Sequence, residues 1–185
     1  MLDVFSRPDM KHSEVASAVD ETLERSQLSI DAAEEVMLNG PIQGGLFPDL
    51  RRKSATEMGE FDFSVHPIGG IVPVMEQHRY REYAKIMLST LPYLPSNIPV
   101  HMFGCGHPML FPMSIALGAD LFDSAAYALF ARDGRILTPW GTEKLEGLHE
   151  WPIMMPCISS ITPEEVRKLD KQARMELLSR YNLEI

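Results

Sequence analysis

Residues 101–123 of this chain read His101-Met-Phe-Gly-Cys-Gly-His-Pro-Met-Leu-Phe-Pro-Met-Ser-Ile-Ala-Leu-Gly-Ala-Asp-Leu-Phe-Asp123. The pattern predicts a strand that ends at Phe103, a glycine-rich turn, a helix from Met109 to Leu117, and a second strand that ends at Asp123. Such a strand, helix and strand form a parallel βαβ unit, and α/β folds place their chemistry at the carboxyl ends of these strands. Asp123 is therefore the first candidate for a catalytic residue.

The chain before this stretch repeats the pattern of strand, turn and helix. Helices are predicted from Ser13 to about Glu35, over Pro48–Met58 and over Met75–Leu91. Apolar strands are predicted over Met1–Phe5, Val36–Ile42 and Phe63–Ile68. The predicted strands end near Asp3, Gln43, Gly70, Phe103 and Asp123.

Repeated βαβ units predict an α/β fold with a parallel sheet, closed into a barrel or left open. About five strands are too few for an eight-stranded barrel. We therefore expect either a partial (β/α)8 TIM barrel, whose missing strands come from another chain, or a smaller open sheet. Spacing alone also allows structural roles for these residues. Asp123 could form a turn or cap a helix, Asp3 could be a solvated carboxylate, and Gly69-Gly70 could be only a tight bend.

The pattern changes after Thr138. A short helix is predicted over Glu143–Glu150, followed by an irregular segment, Trp151–Ile161. Thr162-Pro-Glu-Glu opens a helix, since it combines an N-cap, proline and acidic residues, and a second helix is predicted from Lys171 to Tyr181. We therefore divide the chain into residues 1–140, the barrel part, and residues 141–185, a helical appendage.

The composition describes an acidic globular chain of 185 residues, 45% of them hydrophobic, with a net charge of -9. This charge argues against a purely electrostatic nucleic-acid binder, although a local basic patch at Arg132–Arg135 is compatible with it. No apolar run approaches the roughly 20 residues that cross a membrane, and no signal-peptide pattern is present. We expect a cytoplasmic protein without membrane contact, with Cys105 and Cys157 reduced.

Several residues that could suggest chemistry have structural interpretations. We predict a solvated helix face for Arg51-Arg52-Lys53, structural roles for His66 and His107, a core position for Met154 and Met155, and a small buried thiol for Cys105.

The motifs together resemble one known family, the archaeal tRNA-guanine transglycosylases, over nearly the whole chain. The resemblance rests on Asn39-Gly-Pro-Ile-Gln-Gly-Gly, Pro48-Asp-Leu-Arg-Arg, His66-Pro-Ile-Gly-Gly-Ile, Phe103-Gly-Cys-Gly-His-Pro and Gly118-Ala-Asp-Leu-Phe-Asp-Ser-Ala-Ala-Tyr-Ala-Leu-Phe-Ala-Arg-Asp-Gly-Arg. It implies a TIM barrel that exchanges a guanine of the tRNA D-loop for 7-cyano-7-deazaguanine, through a covalent ribosyl-enzyme intermediate, in archaeosine biosynthesis.

The resemblance also implies roles for individual residues. Asp123 would be the nucleophile that attacks the ribose C1′, where the transition state is oxocarbenium-like. Asp3 would accept hydrogen bonds from the base and Gln43 would donate one to its carbonyl oxygen. The backbone of Gly69, Gly70 and Ile71 would read the edge of the base, and the Phe103 ring would stack on its face. Arg132 and Arg135 would contact tRNA phosphates.

The sequence departs from the family pattern in two ways. The family's second catalytic aspartate and second base-stacking aromatic residue precede the segment that begins here with Leu2-Asp3. The four zinc ligands of the family correspond to Ile153, Met155, Ile158 and Tyr181, which cannot replace thiolate and imidazole. We therefore predict no metal and no cofactor, with apolar packing in place of zinc.

Three functions remain open. The leading hypothesis is a transglycosylase-like chain that acts on tRNA and on a guanine or 7-deazaguanine base, with a second chain, or a second copy of this one, completing the barrel. One alternative is a non-catalytic tRNA-binding or scaffolding subunit. Another is the transglycosylase-like domain of an archaeosine synthase, which acts on the base already inserted.

Overall fold

The computed structural model describes residues 3–185. The described chain forms two compact units, one comprising residues 3–105 and 113–123 and the other residues 106–112 and 124–185. The predicted strand over Met1–Phe5 lies partly outside the described residues, and residues 3–5 belong to no helix or strand.

The first unit alternates helices with short strands. In chain order these are α1 (His12–Ala32), α2 (Pro48–Met58), β1 (His66–Ile68), α3 (Val72–Glu76), α4 (Tyr80–Thr90), β2 (Val100–Met102), α5 (Phe111–Ala116), whose last residues belong to this unit, and β3 (Leu121–Phe122).

The strands of the first unit form a parallel sheet in the order β1-β2-β3. His66 pairs with Val100, and His101 pairs with Leu121. Two isolated parallel bridges, Asn39 with Val65 and Ile42 with Ile68, extend this order by one more segment. The parallel sheet with intervening helices confirms the α/β class, although the sheets within residues 3–185 are small.

The helices of the first unit bury apolar stripes at helical spacing. In α1 the buried face includes Val15, Val19 and Leu23, and α2 packs against both α1 and α4. The periodicity of apolar residues alone predicts these faces.

Two predictions for the first unit are wrong. Residues 36–42 do not form a continuous strand, and Met37 is 83% exposed. The predicted helix Met75–Leu91 is divided into α3 and α4, and His78 between them has a φ of 56°. A residue in the left-handed region cannot continue a right-handed helix, so the chain turns there.

The second unit contains α6 (Ala126–Arg132), β4 (Arg135–Thr138), β5 (Gly141–Lys144), α7 (Pro163–Lys168) and α8 (Lys171–Glu184). Strands β4 and β5 form an antiparallel hairpin, and α8 packs against α6 and β4. The predicted start of α7 is confirmed: Thr162 and Glu165 form a reciprocal capping box. The predicted helix after it is also confirmed, and it extends to Glu184.

Two predictions for the second unit are wrong. Residues 143–150 are not a helix, because Glu143 and Lys144 pair with β4 and a 3-10 turn, Leu145–Gly147, follows. Pairing with β4 stabilises Glu143 and Lys144 as a strand, and the local sequence pattern carries no information about this partner. Met154 is 65% exposed and is not a core residue, whereas Met155 packs against the hydrophobic cluster.

Among residues 3–185, every helix is either too short or too polar to cross a lipid bilayer.

Candidate active site

The Asp123 carboxylate is held at the carboxyl end of β3 by two contacts to one oxygen. The Gly104 N–H donates to Asp123 Oδ1 at 2.8 Å, and His101 Nε2 lies 2.9 Å from the same oxygen. Within the described chain, Oδ2 makes no hydrogen bond, and the side chain is 51% exposed. The carboxylate is therefore oriented through Oδ1, while Oδ2 is available to a ligand.

The backbone geometry that supplies these contacts requires glycine at position 104. Gly104 has a φ of 78°, and a Cβ there would lie 2.6 Å from Val72 Cγ2. The strand register brings His101 opposite Leu121, two residues before Asp123. Sequence reasoning did not assign a role to His101, and the available signal was its place in β2 beside a strand that ends in a carboxylate.

Phe103 directly follows β2 and contacts His101. Its side chain is 57% exposed, and its ring lies edge-on to that of His101, with centroids 5.8 Å apart. An exposed aromatic ring at a strand end provides a flat apolar surface for a planar ligand.

Asp3 and Gln43 are brought together by the fold although they are 40 residues apart in sequence. Gln43 Nε2 donates a hydrogen bond to Asp3 Oδ2, and the Gln43 backbone N–H donates to Ser54 Oγ at 3.1 Å. Gln43 is 1% exposed, and its Oε1 has no hydrogen-bond partner in residues 3–185. A buried acceptor without a partner is costly unless a ligand or water satisfies it.

The Gly69-Gly70 bend lies against this pair. A Cβ at Gly69 would lie 2.2 Å from Gln43 Nε2, so only glycine allows the amide to pack on this backbone. Gly70 has a φ of 72°. The Gly69 N–H donates to Ile42 O at 3.0 Å, whereas no acceptor is found for the Gly70 N–H among the residues described. Ile71, also predicted to read the base edge, is fully buried in this structure.

Arg51 is the largest departure from the sequence-based expectations at this site. It was predicted to lie on a solvated helix face, but it is fully buried. Its guanidinium donates to three main-chain carbonyl oxygens, those of Gly45 at 2.9 Å, Ile42 at 3.1 Å and Gly69 at 3.0 Å. Burial lowers the pKa of Arg51 to about 9, so the group remains charged at neutral pH.

A signal for this burial was present in the sequence. The buried residues of α2 include Arg51, Ser54, Ala55 and Met58, which are spaced three and four apart and share one helix face. Arg52 and Lys53 are exposed, as predicted. The periodicity of the helix was therefore a better guide than the run of three basic residues.

The predicted site residues of the first unit form two groups. One group contains Asp3, Gln43 and the Gly69-Gly70 bend, with Arg51 bonded to the Gly69 oxygen. The other contains Asp123 and its neighbours Gly104, His101 and Phe103. No hydrogen bond or ion pair connects the two groups within residues 3–185.

The predicted phosphate contacts, Arg132 and Arg135, belong to the second unit. Arg132 is exposed. The Arg135 guanidinium lies 4.1 Å from the Phe130 ring centroid and contacts Asp133 Oδ2 at 2.7 Å. Asp133 offsets part of the positive charge of Arg135, so Arg132 is the more available cation of the pair.

The other predicted structural residues have clear environments. His107 Nε2 lies 2.9 Å from Thr142 Oγ1, and its Nδ1 accepts from the Met109 N–H, which confirms a structural role. Cys105 is fully buried, and burial raises the pKa of its thiol. A buried, protonated thiol agrees with the prediction that Cys105 is no nucleophile.

The four positions that correspond to zinc ligands in the resembling family lie in an apolar region of the second unit. Ile158 and Tyr181 are buried in its hydrophobic cluster, and Met155 packs against that cluster. The Tyr181 hydroxyl donates to Ile153 O at 3.2 Å, and its ring stacks on Trp151 with centroids 5.4 Å apart. These side chains do not fit a tetrahedral zinc site, whose ligands are thiolates, imidazoles or carboxylates.

Comparison with known proteins agrees with the sequence resemblance. A family profile described as "Queuine tRNA-ribosyltransferase" matches residues 1–185. The chain is 47% identical over 190 residues to the tRNA-guanine(15) transglycosylase of Methanocaldococcus jannaschii, covering 99% of this chain and 29% of the relative. It is 46% identical over 192 residues to that of Methanococcus aeolicus, covering 100% and 29%. It is 43% identical over 184 residues to the tRNA-guanine(15) transglycosylase of Methanothermobacter thermautotrophicus, covering 100% of this chain and 28% of the relative. The chain thus spans less than a third of these relatives.

Proposed function

Because the chain belongs to the queuine tRNA-ribosyltransferase family, we propose that it carries the nucleophile of a tRNA base exchange. The reaction replaces a guanine of the tRNA D-loop by 7-cyano-7-deazaguanine, a step of archaeosine biosynthesis. The observation that carries this proposal is the Asp123 carboxylate, fixed through Oδ1 by Gly104 and His101 and open at Oδ2.

In the first half of the proposed reaction, Asp123 Oδ2 forms a bond to the ribose C1′. The bond from C1′ to N9 of guanine breaks, and guanine leaves with the electron pair and takes up a proton. An anionic carboxylate suits this step, since positive charge develops at C1′ in the transition state. The Gly104 N–H on Oδ1 keeps the carboxylate in place without occupying the attacking oxygen.

In the second half, N9 of the incoming base loses its proton and attacks C1′. The ester bond to Asp123 breaks, and the carboxylate recovers its electron pair. Microscopic reversibility makes this step the reverse of the first, with a different base. We assign the proton transfers to groups outside these 185 residues, where the family places its second catalytic aspartate.

The base would be recognised by the two groups of the first unit. Asp3 accepts from the N1–H and exocyclic amine of the base, Gln43 donates to its carbonyl oxygen, and the Gly70 N–H, which reads the same edge, donates to that oxygen as well. The Gln43 amide, now engaged with Asp3, supplies a further donor and the unpaired acceptor Oε1. Phe103 stacks on the base, a use that its exposure supports. Arg132 and Arg135 contact tRNA phosphates.

The parallel strands of the first unit would form part of a (β/α)8 barrel. The parallel order from the segment Asn39–Ile42 through β1, β2 and β3 supports this proposal, because it is the order of successive barrel strands. We propose that the remaining strands are supplied by a second chain or by a second copy of this one.

The test is incorporation of labelled guanine into archaeal tRNA. The wild-type chain is assayed alone and with any chain that co-purifies with it, and Asp123→Asn serves as the matched control. Incorporation that requires Asp123 supports the proposal, and a requirement for the co-purified chain supports the shared barrel. Equal incorporation by Asp123→Asn would refute the assignment of the nucleophile.

A second candidate is a tRNA-binding or scaffolding subunit that performs no chemistry. The apolar packing at the four zinc-ligand positions favours it, because this chain has diverged from the family in a region that is structural in the family. If the assembled complex exchanges guanine equally well with Asp123→Ala, the second candidate replaces the first.

A further inference from the structure

Arg51 is fully buried beneath the loops that carry Gln43 and Gly69, and nothing in the sequence motifs gives it a role there. Building on the proposed function, we propose that Arg51 is a positioning residue for the base, acting through the Gly69-Gly70 peptide rather than by direct contact.

The guanidinium connects two separate segments of the chain. Ile42 and Gly45 belong to the loop that carries Gln43, and Gly69 belongs to the bend that follows β1; Arg51 donates to a carbonyl oxygen of each of these three residues. The Ile42 oxygen also accepts the Gly69 N–H at 3.0 Å. Arg51 thus links the loop that carries Gln43 to the Gly69-Gly70 bend and fixes the distance between them.

This arrangement is unusual because the buried cation has no carboxylate partner within residues 3–185. Burying a charge is expensive, and an apolar side chain would fill the same space more cheaply. Lysine could not reproduce the contacts, since only the planar guanidinium presents donors in three fixed directions. The arginine is explained if the two loops must be held in one specific geometry.

The contact to Gly69 has an electronic consequence as well. A charged donor on the Gly69 carbonyl polarises the peptide that links it to Gly70, so the Gly70 N–H becomes a stronger donor. That N–H has no acceptor in the described chain, and a positive φ of 72° sets its direction. Arg51 therefore prepares a donor for a ligand carbonyl.

The ligand class follows from the groups that this network presents. The Gly69-Gly70 peptide that carries the strengthened N–H packs against the Gln43 amide, whose Oε1 is unpaired and whose Nε2 donates to Asp3. A planar base with a ring carbonyl next to N–H and amine donors matches this set, as in guanine and its 7-deaza analogues. A base without the carbonyl, such as adenine, would leave the Gly70 N–H unsatisfied and the Asp3 carboxylate without its donor.

The test is equilibrium dialysis of labelled guanine with the wild-type chain, Arg51→Lys, Arg51→Met and the control Arg52→Met, in the assembly that binds the base. Arg52 lies on the same helix, is exposed and contacts only the Tyr93 ring in the described structure. We expect Arg51→Lys to weaken guanine binding about tenfold, to leave adenine binding unchanged, and to leave the KM for tRNA within about twofold, while Arg52→Met binds as wild type.

Hydrogen exchange of residues 42–45 and 69–72 accompanies the binding assay. In Arg51→Lys we expect faster hydrogen exchange that is confined to these two segments. If Arg51→Met does not fold, the result for Arg51→Lys alone tests the inference. Unchanged guanine affinity in folded Arg51→Lys would overturn the inference, as would equal losses for guanine, adenine and tRNA.

The same data separate this inference from the proposed function. If wild type binds guanine and Arg51→Lys binds it weakly, but no exchange into tRNA occurs, the positioning role stands and the base-exchange proposal fails. If wild type exchanges guanine and Arg51→Lys keeps its KM for the base, the positioning role fails. If wild type neither binds nor exchanges guanine, both fail.

Discussion

His101 Nε2 lies 2.9 Å from Asp123 Oδ1, the same oxygen that accepts the Gly104 N–H. Two contacts to one carboxylate oxygen, the Gly104 N–H hydrogen bond and the His101 ring nitrogen, restrain both the rotation and the position of the side chain. The other oxygen is therefore left as the nucleophile in the proposed reaction. The His101 side chain is only 18% exposed, so its ring is itself held by packing.

His101→Ala should lower kcat for guanine exchange by about 10- to 100-fold, because a nucleophile misplaced by about 1 Å loses this much rate. KM for tRNA should change little, since His101 contacts the carboxylate and not a phosphate. Single-turnover kinetics measure the effect. His101→Gln, which retains a side-chain donor, should recover part of the loss. Equal activity of His101→Ala and wild type would show that Gly104 alone suffices.

Gly69→Ala should destabilise the first unit by about 1–3 kcal/mol, the usual cost of forcing a methyl group into a packed site. The new Cβ would overlap Gln43 Nε2 and displace the amide from Asp3. Guanine affinity should fall with it. Urea denaturation measures the stability. The control is Gly147→Ala, because a Cβ there meets no atom within 4 Å. A stable Gly69→Ala variant with full guanine affinity would contradict the close packing.

The stability of the chain should fall as the pH drops below about 6.5, the ordinary pKa of histidine. Burial lowers the pKa of His66, whose Nδ1 lies 3.0 Å from Gly40 O and whose Nε2 has no partner in residues 3–185. The unfolded chain therefore binds a proton at higher pH than the folded chain, so the loss begins near the unfolded pKa and continues down to the folded pKa.

Urea denaturation at pH 7.5 and pH 5.5 measures this dependence. His66→Asn, whose amide can donate to Gly40 O without titrating, should show a smaller difference between the two pH values. The same pH dependence in both proteins would assign the effect to another group.

Ile158→Ala should destabilise the second unit by about 2–5 kcal/mol, the usual cost of emptying a buried isoleucine site. Ile158 is 1% exposed within the hydrophobic cluster. Thermal unfolding followed by circular dichroism measures it, and Met154→Ala, which truncates an exposed side chain, is the control.

A metal chelator should leave the melting temperature of the wild-type chain unchanged, because Ile153, Met155, Ile158 and Tyr181 supply packing and not metal ligands. The same thermal scans with and without EDTA measure this. A lower melting temperature in EDTA would show that the chain is stabilised by a metal.

Local sequence patterns predicted much of the fold. The apolar periodicity of α1 and α2, the capping box before α7, and the strands that end at Phe103 and Asp123 depend on residues within a few positions of one another. The division of the helix at His78 and the hairpin of β4 and β5 were not predicted, because each depends on backbone geometry or pairing that competes with the local propensity.

The sequence by itself determined the α/β class, the family and the identity of Asp123 as the candidate nucleophile, because these are encoded in periodicity and in contiguous motifs. Only the tertiary structure decided that Arg51 donates to the Gly69 carbonyl oxygen, that His101 contacts Asp123, and that Gln43 donates to Asp3. Each of these contacts joins residues that are 18 to 40 positions apart in the chain, counting Arg51 to Gly69 and Asp3 to Gln43. Burial and hydrogen bonding between such distant residues depend on how the elements pack, and no local pattern specifies that packing.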